Sequence, residues 1–212
     1  MNARNGYGIL RRAPIAFAAG LTLLGAVACA PVAVLHPDDA ELGRALATLA
    51  PVTPVSARAD FRLAEDSKTV TLPSEDAARR ALQTADRMLA QAGPAALGRW
   101  FTPFGAGAPQ VTIVAQVVEF DYRTHSAAGV SRPTFAVAVQ IRALAGDGRV
   151  LVKGVYRSGP VQGSRYVSVL RGKGAYEDEF NRTAYRALLI ALDRGLAQVS
   201  KHLVPDGIPL TD

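Results

Sequence analysis

The sequence predicts an α+β domain in two layers: an antiparallel sheet with a mid-chain helix and a long C-terminal helix on one face. Three observations carry that expectation. Between residues 111 and 156, three apolar runs follow one another with short connections, the signature of consecutive antiparallel strands. Two other stretches, from Ser74 and from Glu177, repeat apolar residues at intervals of three and four, the helical period. The order is strand, helix, three or four strands, long helix, which suits helices gathered on one face of a sheet.

The elements follow in order. Pro31, Pro37, Pro51 and Pro54 interrupt residues 30–57, which read as a tether. Within it, DDAELGRALATLA suits a short helix capped by Asp38, with Leu42, Ala45, Leu46 and Leu49 on one side. That helix either stands off in the tether or packs on the domain. Phe61 and Leu63 alternate with charged residues as in a half-buried strand, and Val70 and Leu72 resume that period. Ser74 suits an N-cap, with Glu75 and Asp76 in the first turn. Ala78, Leu82, Ala85 and Leu89 make the helical stripe, and Gly93 and Pro94 are expected to end it. The Gly/Pro-rich stretch 95–109 holds Trp100, Phe101 and Phe104.

QVTIVAQVVEF is apolar on both sides, with Val111, Ile113, Ala115 and Val117 on one and Val114, Val118 and Phe120 on the other. It reads as a central strand, covered at least in part on both faces. Phe135, Val137, Val139 and Ile141 form one face of the next strand. Gly146-Asp147-Gly148 is a hairpin turn, after which Val150 and Val152 face the core. Residues 157–175 are loop-like, with RYVSVLRG a further strand or an extended arm. A helix then runs from about Glu177 to Leu203. Phe180, Ala184, Leu188, Ala191, Leu192, Leu196, Val199 and Leu203 form its buried stripe, and Gly195 is either a weak spot or a place of close packing on the sheet. Pro205 forbids continuation.

The start of the chain carries a different signal. Arg4, Arg11 and Arg12 precede an uncharged apolar run, IAFAAGLTLLGAVAC, that ends in the only cysteine, Cys29, and no acidic residue occurs before Asp38. Basic segment, short apolar core and small residues before a cut site describe a bacterial secretion signal. The run is shorter than the roughly 20 residues a membrane-crossing helix needs. With Ala26, Val27 and Ala28 ahead of the cysteine, the stretch resembles the lipobox of bacterial lipoproteins. Leucine is commoner at the position of Ala26. The resemblance implies that Cys29 becomes the mature N-terminus, bearing a diacylglyceryl thioether and an amide-linked acyl chain such as palmitate. Each buried methylene contributes about 0.8 kcal/mol, so several chains anchor stably. Ala30, where aspartate would favour retention at the inner membrane, points to the outer membrane with the domain facing the periplasm.

The division expected is a signal peptide at 1–28, a lipidated N-terminus and tether at 29–57, a periplasmic α+β domain at 58–204 and a tail at 205–212. The 184 residues after the signal suffice for one domain with its own core. The 24 basic and 18 acidic side chains leave +6 for the whole chain, but the signal holds three arginines and no acid, so +3 remains. No basic stripe with interleaved aromatics accompanies it, so nucleic acid is not expected as a partner. With one cysteine, an internal disulfide and a cysteine-based zinc site are excluded.

No catalytic constellation stands out. His36, His125 and His202 read as a tether residue, a turn residue and a cation near a helix C-terminus, and none sits at metal-ligand spacing. No G-x-S-x-G elbow occurs; Gly129-Val130-Ser131 and the adjacent His125 and Ser126 lack the necessary context. Glu119 and Asp121, two apart on one strand face, could pair as glycosidase carboxylates, but more simply mark an exposed strand end. Arg171-Gly172-Lys173-Gly174 precedes a helix and could hold phosphate, yet Glu177, Asp178 and Glu179 directly after it would repel an anion. Trp100, Phe101 and Phe104 either fill the core or line an apolar groove, core being the simpler reading.

The lipobox, tether and element order, with VTIVAQVVEF followed by AVAVQIRALAGDGRVLVKGVYRSG, a glycine loop and a terminal helix, resemble the YajG-type lipoproteins and the auxiliary lipoproteins of ABC-type lipid transporters. Neither family implies a catalytic residue here. The resulting expectation is a non-enzymatic protein without metal or cofactor, lipid-anchored in the membrane through Cys29. It would be an accessory subunit binding a protein partner in an envelope transport or assembly complex, through an exposed sheet edge or the loop holding Trp100. The alternatives are a lipid-binding lipoprotein holding an acyl chain between helices and sheet, and a cell-wall hydrolase centred on Glu119 or Asp121.

Overall fold

The computed structural model describes residues 35–64, 76–102, 108–127, 130–168 and 173–203. Helix α1 (Asp39–Leu46) precedes strand β1 (Val55–Leu63), helix α2 (Asp76–Trp100) and the two-residue strand β2 (Phe101–Thr102). Strands β3 (Val111–Ala127), β4 (Val130–Ala145), β5 (Val150–Arg157) and β6 (Val161–Gln162) follow, then helix α3 (Lys173–Leu203). The sheet runs β2-β1-β3-β4-β5, and β6 pairs with β4 beside β5. This is an α+β architecture with α2 and α3 packed on one face of a mixed sheet.

The meander β3-β4-β5 is antiparallel, as the alternating runs require, and Gly148, at φ +84°, closes the β4–β5 turn with its N–H on the Ala145 carbonyl at 2.8 Å. β1 is parallel to both neighbours, pairing Ala59 with Val111 through Leu63 with Ala115. The reason is the crossover: α2 carries the chain back over the sheet, so the strands after it run in the direction of β1. The expected strand residues Val70 and Leu72, the cap Ser74 and the helix side chains of Ala78 and Leu82 lie outside the described residues.

Two bulges redirect side chains that simple alternation misplaces. Between Val117 and Glu119 the β3–β4 register shifts, so Val111, Ile113, Ala115 and Val117 point to the helices and then Phe120 and Tyr122 do the same. Phe120 therefore joins the core beside Phe135, ring centroids 5.6 Å apart, rather than sharing the outer face with Val114. At the bulge, the Val117 N–H donates to Asp86 Oδ1 of α2 at 3.3 Å. Between Ala143 and Leu144 a second shift pairs Leu144 with Val150, leaving Val152 buried and Val150 exposed, contrary to the expectation that both face inward.

The helices differ from expectation at their ends. α2 runs through Pro94 to Trp100. A proline inside a helix costs about 3 kcal/mol, but Ala92, Ala96 and Leu97 are buried on both sides of it, and Gly93 lets the Phe61 ring lie against the helix backbone. α3 begins at Lys173, so Glu177, Asp178 and Glu179 are not in its first turn. Its predicted stripe, Phe180 to Leu203, is buried throughout, and Gly195 is a point of contact: a Cβ there would lie 2.3 Å from Ile141 Cδ1 and 2.9 Å from the Tyr156 ring.

Of the two readings of residues 38–50, the structure has the packed helix. Asp38 caps α1 by accepting from Ala40 and Glu41, Leu42 and Ala45 are buried, and α1 packs against α3 and α2. Leu35 is buried as well, so the folded part starts well before residue 58.

Candidate functional site

Each polar group that the sequence offered for chemistry has a structural surrounding that decides its use. Glu119 and Asp121 stand on the outward face of β3, both about half exposed, and each faces an arginine: Glu119 lies 3.4 Å from Arg157 and Asp121 3.7 Å from Arg123. Their exposure contrasts with the enclosed site that paired glycosidase carboxylates occupy. His125 lies on β3 itself, not in a turn, because the β3–β4 hairpin extends to Ala127 and Val130. Ser126 Oγ lies 3.0 Å from Ser131 Oγ across that hairpin. His36 is part of the packed domain, its N–H donating to Asn181 Oδ1 at 3.1 Å, and His202 Nδ1 meets the Gln198 carbonyl at 2.9 Å. Among the described residues, no three His, Cys, Asp or Glu side chains are grouped to hold a metal.

The aromatic group resolves into core and clamp. Phe101 is fully buried. Trp100 is the last residue of α2, not part of a loop. Its Nε1–H donates to Asp193 Oδ1 of α3 at 2.9 Å, and Arg99 reaches both Asp193 oxygens at 2.7–2.8 Å and the Ala50 carbonyl at 2.5 Å. This cluster ties α2 to α3 and fixes the Trp100 indole on Asp193. An open cleft of about 270 Å³ lies nearby, between α2 and β1–β2, lined by Phe61, Leu97 and Phe101 among others. It falls below the range usual for small-molecule pockets. Phe104, Arg171, Gly172 and Cys29 lie outside the described residues.

Sequence reasoning missed the densest polar cluster. Glu41 of α1 and Glu179 of α3 are each only 1 % exposed. Arg182 bridges them, its Nε 2.7 Å from Glu41 and its Nη1 3.8 Å from Glu179. Arg44 pairs with Glu41, and Arg165 lies 3.3 Å from Glu179, whose Oε1 also accepts from Ser164 Oγ at 2.9 Å. The Glu41 hydrogen bond holds the Arg182 guanidinium more firmly protonated than usual, with burial opposing. Glu179 was expected to sit at a helix start. It instead binds the loop ahead of α3, because the helix begins six residues earlier. The only sequence signal was the i, i+3 spacing of Glu179 with Arg182 and of Glu41 with Arg44; that the two pairs join is a tertiary fact.

The side of the sheet opposite the helices is covered by no described element. β3 is central, as expected, but one of its faces is open. One cross-strand row there reads Arg62, Val114, Arg142, Lys153. Arg62 pairs with Asp60 at 2.8 Å, whereas Arg142 and Lys153, directly opposite one another, have no acidic partner among the described residues. Like charges so placed oppose folding. In the next row Gln116 donates to Gln140 at 2.7 Å beside the exposed Val155. β5 pairs only with β4, so its other edge is open among the described residues.

No described helix is long and apolar enough to cross a membrane. No protein-family model matches the chain, and no curated protein matches it either. Among solved structures it is similar to the hypothetical protein CT253 of Chlamydia trachomatis, at 11% identity and a TM-score of 0.33, over 71% of this chain and 99% of that one. It is similar to a candidate lipoprotein of Caulobacter crescentus, at 17% identity and 0.34, over 66% and 91%. A minor lipoprotein of Acinetobacter baumannii gives 12% identity and 0.27, over 68% and 90%. Superpositions this loose carry no conclusion about function.

Proposed function

We propose that this chain is a lipid-anchored envelope lipoprotein, facing the periplasm at the outer membrane, that acts by binding rather than catalysis. Its role is that of an accessory subunit in an envelope transport or assembly complex. The observation that carries the reading is the succession of Arg4, Arg11 and Arg12, an uncharged apolar run, small residues and the single Cys29, with the packed domain beginning six residues later at Leu35. The open sheet face supports the binding role. Arg142 and Lys153 lie side by side at a cost to stability that an acidic protein surface would relieve.

Replacement of Cys29 by serine tests the anchor. The mature mass should lose its acyl chains and the protein should leave the membrane fraction; unchanged mass and sedimentation would remove the reading. For the binding role, detergent-solubilised membranes should yield a partner with the native chain and not with an Arg142→Glu, Lys153→Glu variant. Native mass spectrometry of the same preparation separates this from acyl-chain storage, which would show as bound phospholipid.

A further inference from the structure

Between Cys29 and Leu35 lie only five residues, and Leu35 is buried in the domain. Fully extended, the six steps from anchor to Leu35 span about 20 Å. The chain enters on the helical side: His36 is held by Asn181 of α3, the Asp38 N–H donates to Tyr185 Oη at 3.0 Å, and α1 lies against α3 and α2. To bring the outward face of the sheet to the bilayer, that leash would have to pass a helical layer about 10 Å thick and the sheet beyond it, which leaves nothing for lateral travel.

We infer that the side of the domain where α1 meets the N-terminal half of α3 rests against the phospholipid headgroups around the anchor, held there by the short leash, with the outward sheet face turned away from the membrane. The inference deepens the proposed function and rests on acylation of Cys29. That side is of mixed charge: Arg44 and Arg165, 56 % and 54 % exposed, stand over the buried Glu41 and Glu179, with Asp38 and Asp39 on α1 and Asp178 on α3 nearby, so it is the leash and not charge that sets the orientation. A leash this short orients the molecule, because it keeps one side close to the bilayer at high effective concentration.

The test uses the full-length acylated chain in vesicles of phosphatidylethanolamine and phosphatidylglycerol carrying a headgroup quencher. Acylation blocks the Cys29 thiol, so Ala40→Cys, Ala47→Cys and Lys153→Cys each offer one labelling site. All three positions are exposed, and two probes on the helical side guard against a misfolded variant. Labels at 40 and 47 should be quenched several-fold more than the label at 153, and a long Gly-Ser spacer after Ala30 should abolish the difference. Equal quenching in a chain that floats with the vesicles and has the acylated mass would overturn the inference, as would a difference that the spacer leaves unchanged. A chain that neither floats nor carries acyl mass overturns the anchor itself, a distinguishable result.

Discussion

Replacing Gly195 by alanine sets helix propensity against packing, and the structure decides the sign. In an open helix position the change is worth about 1 kcal/mol in favour of alanine. Here the added Cβ would lie 2.3 Å from Ile141 Cδ1 and 2.9 and 3.2 Å from two Tyr156 ring atoms. Carbon atoms in contact prefer about 3.5–4.0 Å, so the overlap with Ile141 exceeds an ångström. Ile141 is fully buried in β4 and Tyr156 closes the other side, so neither yields freely. Overpacking of this kind costs about 1–3 kcal/mol. After the propensity gain, a net loss of about 1–2 kcal/mol is expected from the upper part of that range. With a urea m-value of about 2 kcal/mol per molar, the midpoint should fall by roughly 0.5–1 M. Trp100, the only tryptophan, reports the transition by fluorescence. Gly43→Ala is the internal control: Gly43 is exposed in α1 with nothing within 4 Å of its Cβ position, and the substitution should raise the midpoint. A Gly195→Ala chain as stable as Gly43→Ala would refute the seating of α3 on β4 and β5.

Other expectations follow the same reasoning. Arg182→Met leaves Glu41 and Glu179 buried with one arginine each, and a loss of about 2–4 kcal/mol is expected in denaturant unfolding, toward the lower end of broken buried pairs; no loss would mean that α1 is not docked through this cluster. Asp193→Ala deprives Trp100 of its acceptor and leaves Arg99 only the Ala50 carbonyl, which should shift Trp100 emission to the red and cost about 1.5–3 kcal/mol; an unchanged spectrum would count against the clamp. Burial raises the Asp86 pKa, with the Val117 N–H opposing. A carboxyl with a raised folded pKa favours folding most while protonated, and that contribution is lost as pH rises through the folded value. Asp86→Asn keeps an acceptor for Val117 without the charge, so it should raise Tm at pH 7 more than in acid. An equal shift at both pH values would refute that assignment.

How much was legible depended on the range of the interaction. Local rules sufficed for the meander and the α3 stripe, where each residue's neighbour is set by a period of two or 3.6 and a short turn. They sufficed for the Asp38 cap of α1. They failed at Pro94, where burial of Ala92, Ala96 and Leu97 outweighs a local penalty, and at Phe120 and Val150, where one extra residue in a strand reverses every later side chain. The candidate sites divide in the same way. That Glu119, Asp121 and Arg123 share a face was readable from the period of two, but that Glu119 meets Arg157 depends on where β5 ends.

The sequence by itself determined the α+β class and the stripe of α3, because these are written in composition and period. Only the tertiary structure decided that β1 runs parallel to β3, that Trp100 is a clamp, and that Glu41 and Glu179 share Arg182 across helices separated by more than 130 positions in the chain. It also decided that the helix capped by Asp38 packs on the domain, the other reading being that it stands off in the tether. Burial of Leu35 and Leu42 against distant residues is a long-range event that no window of neighbouring residues encodes, and the length of the leash depends on it.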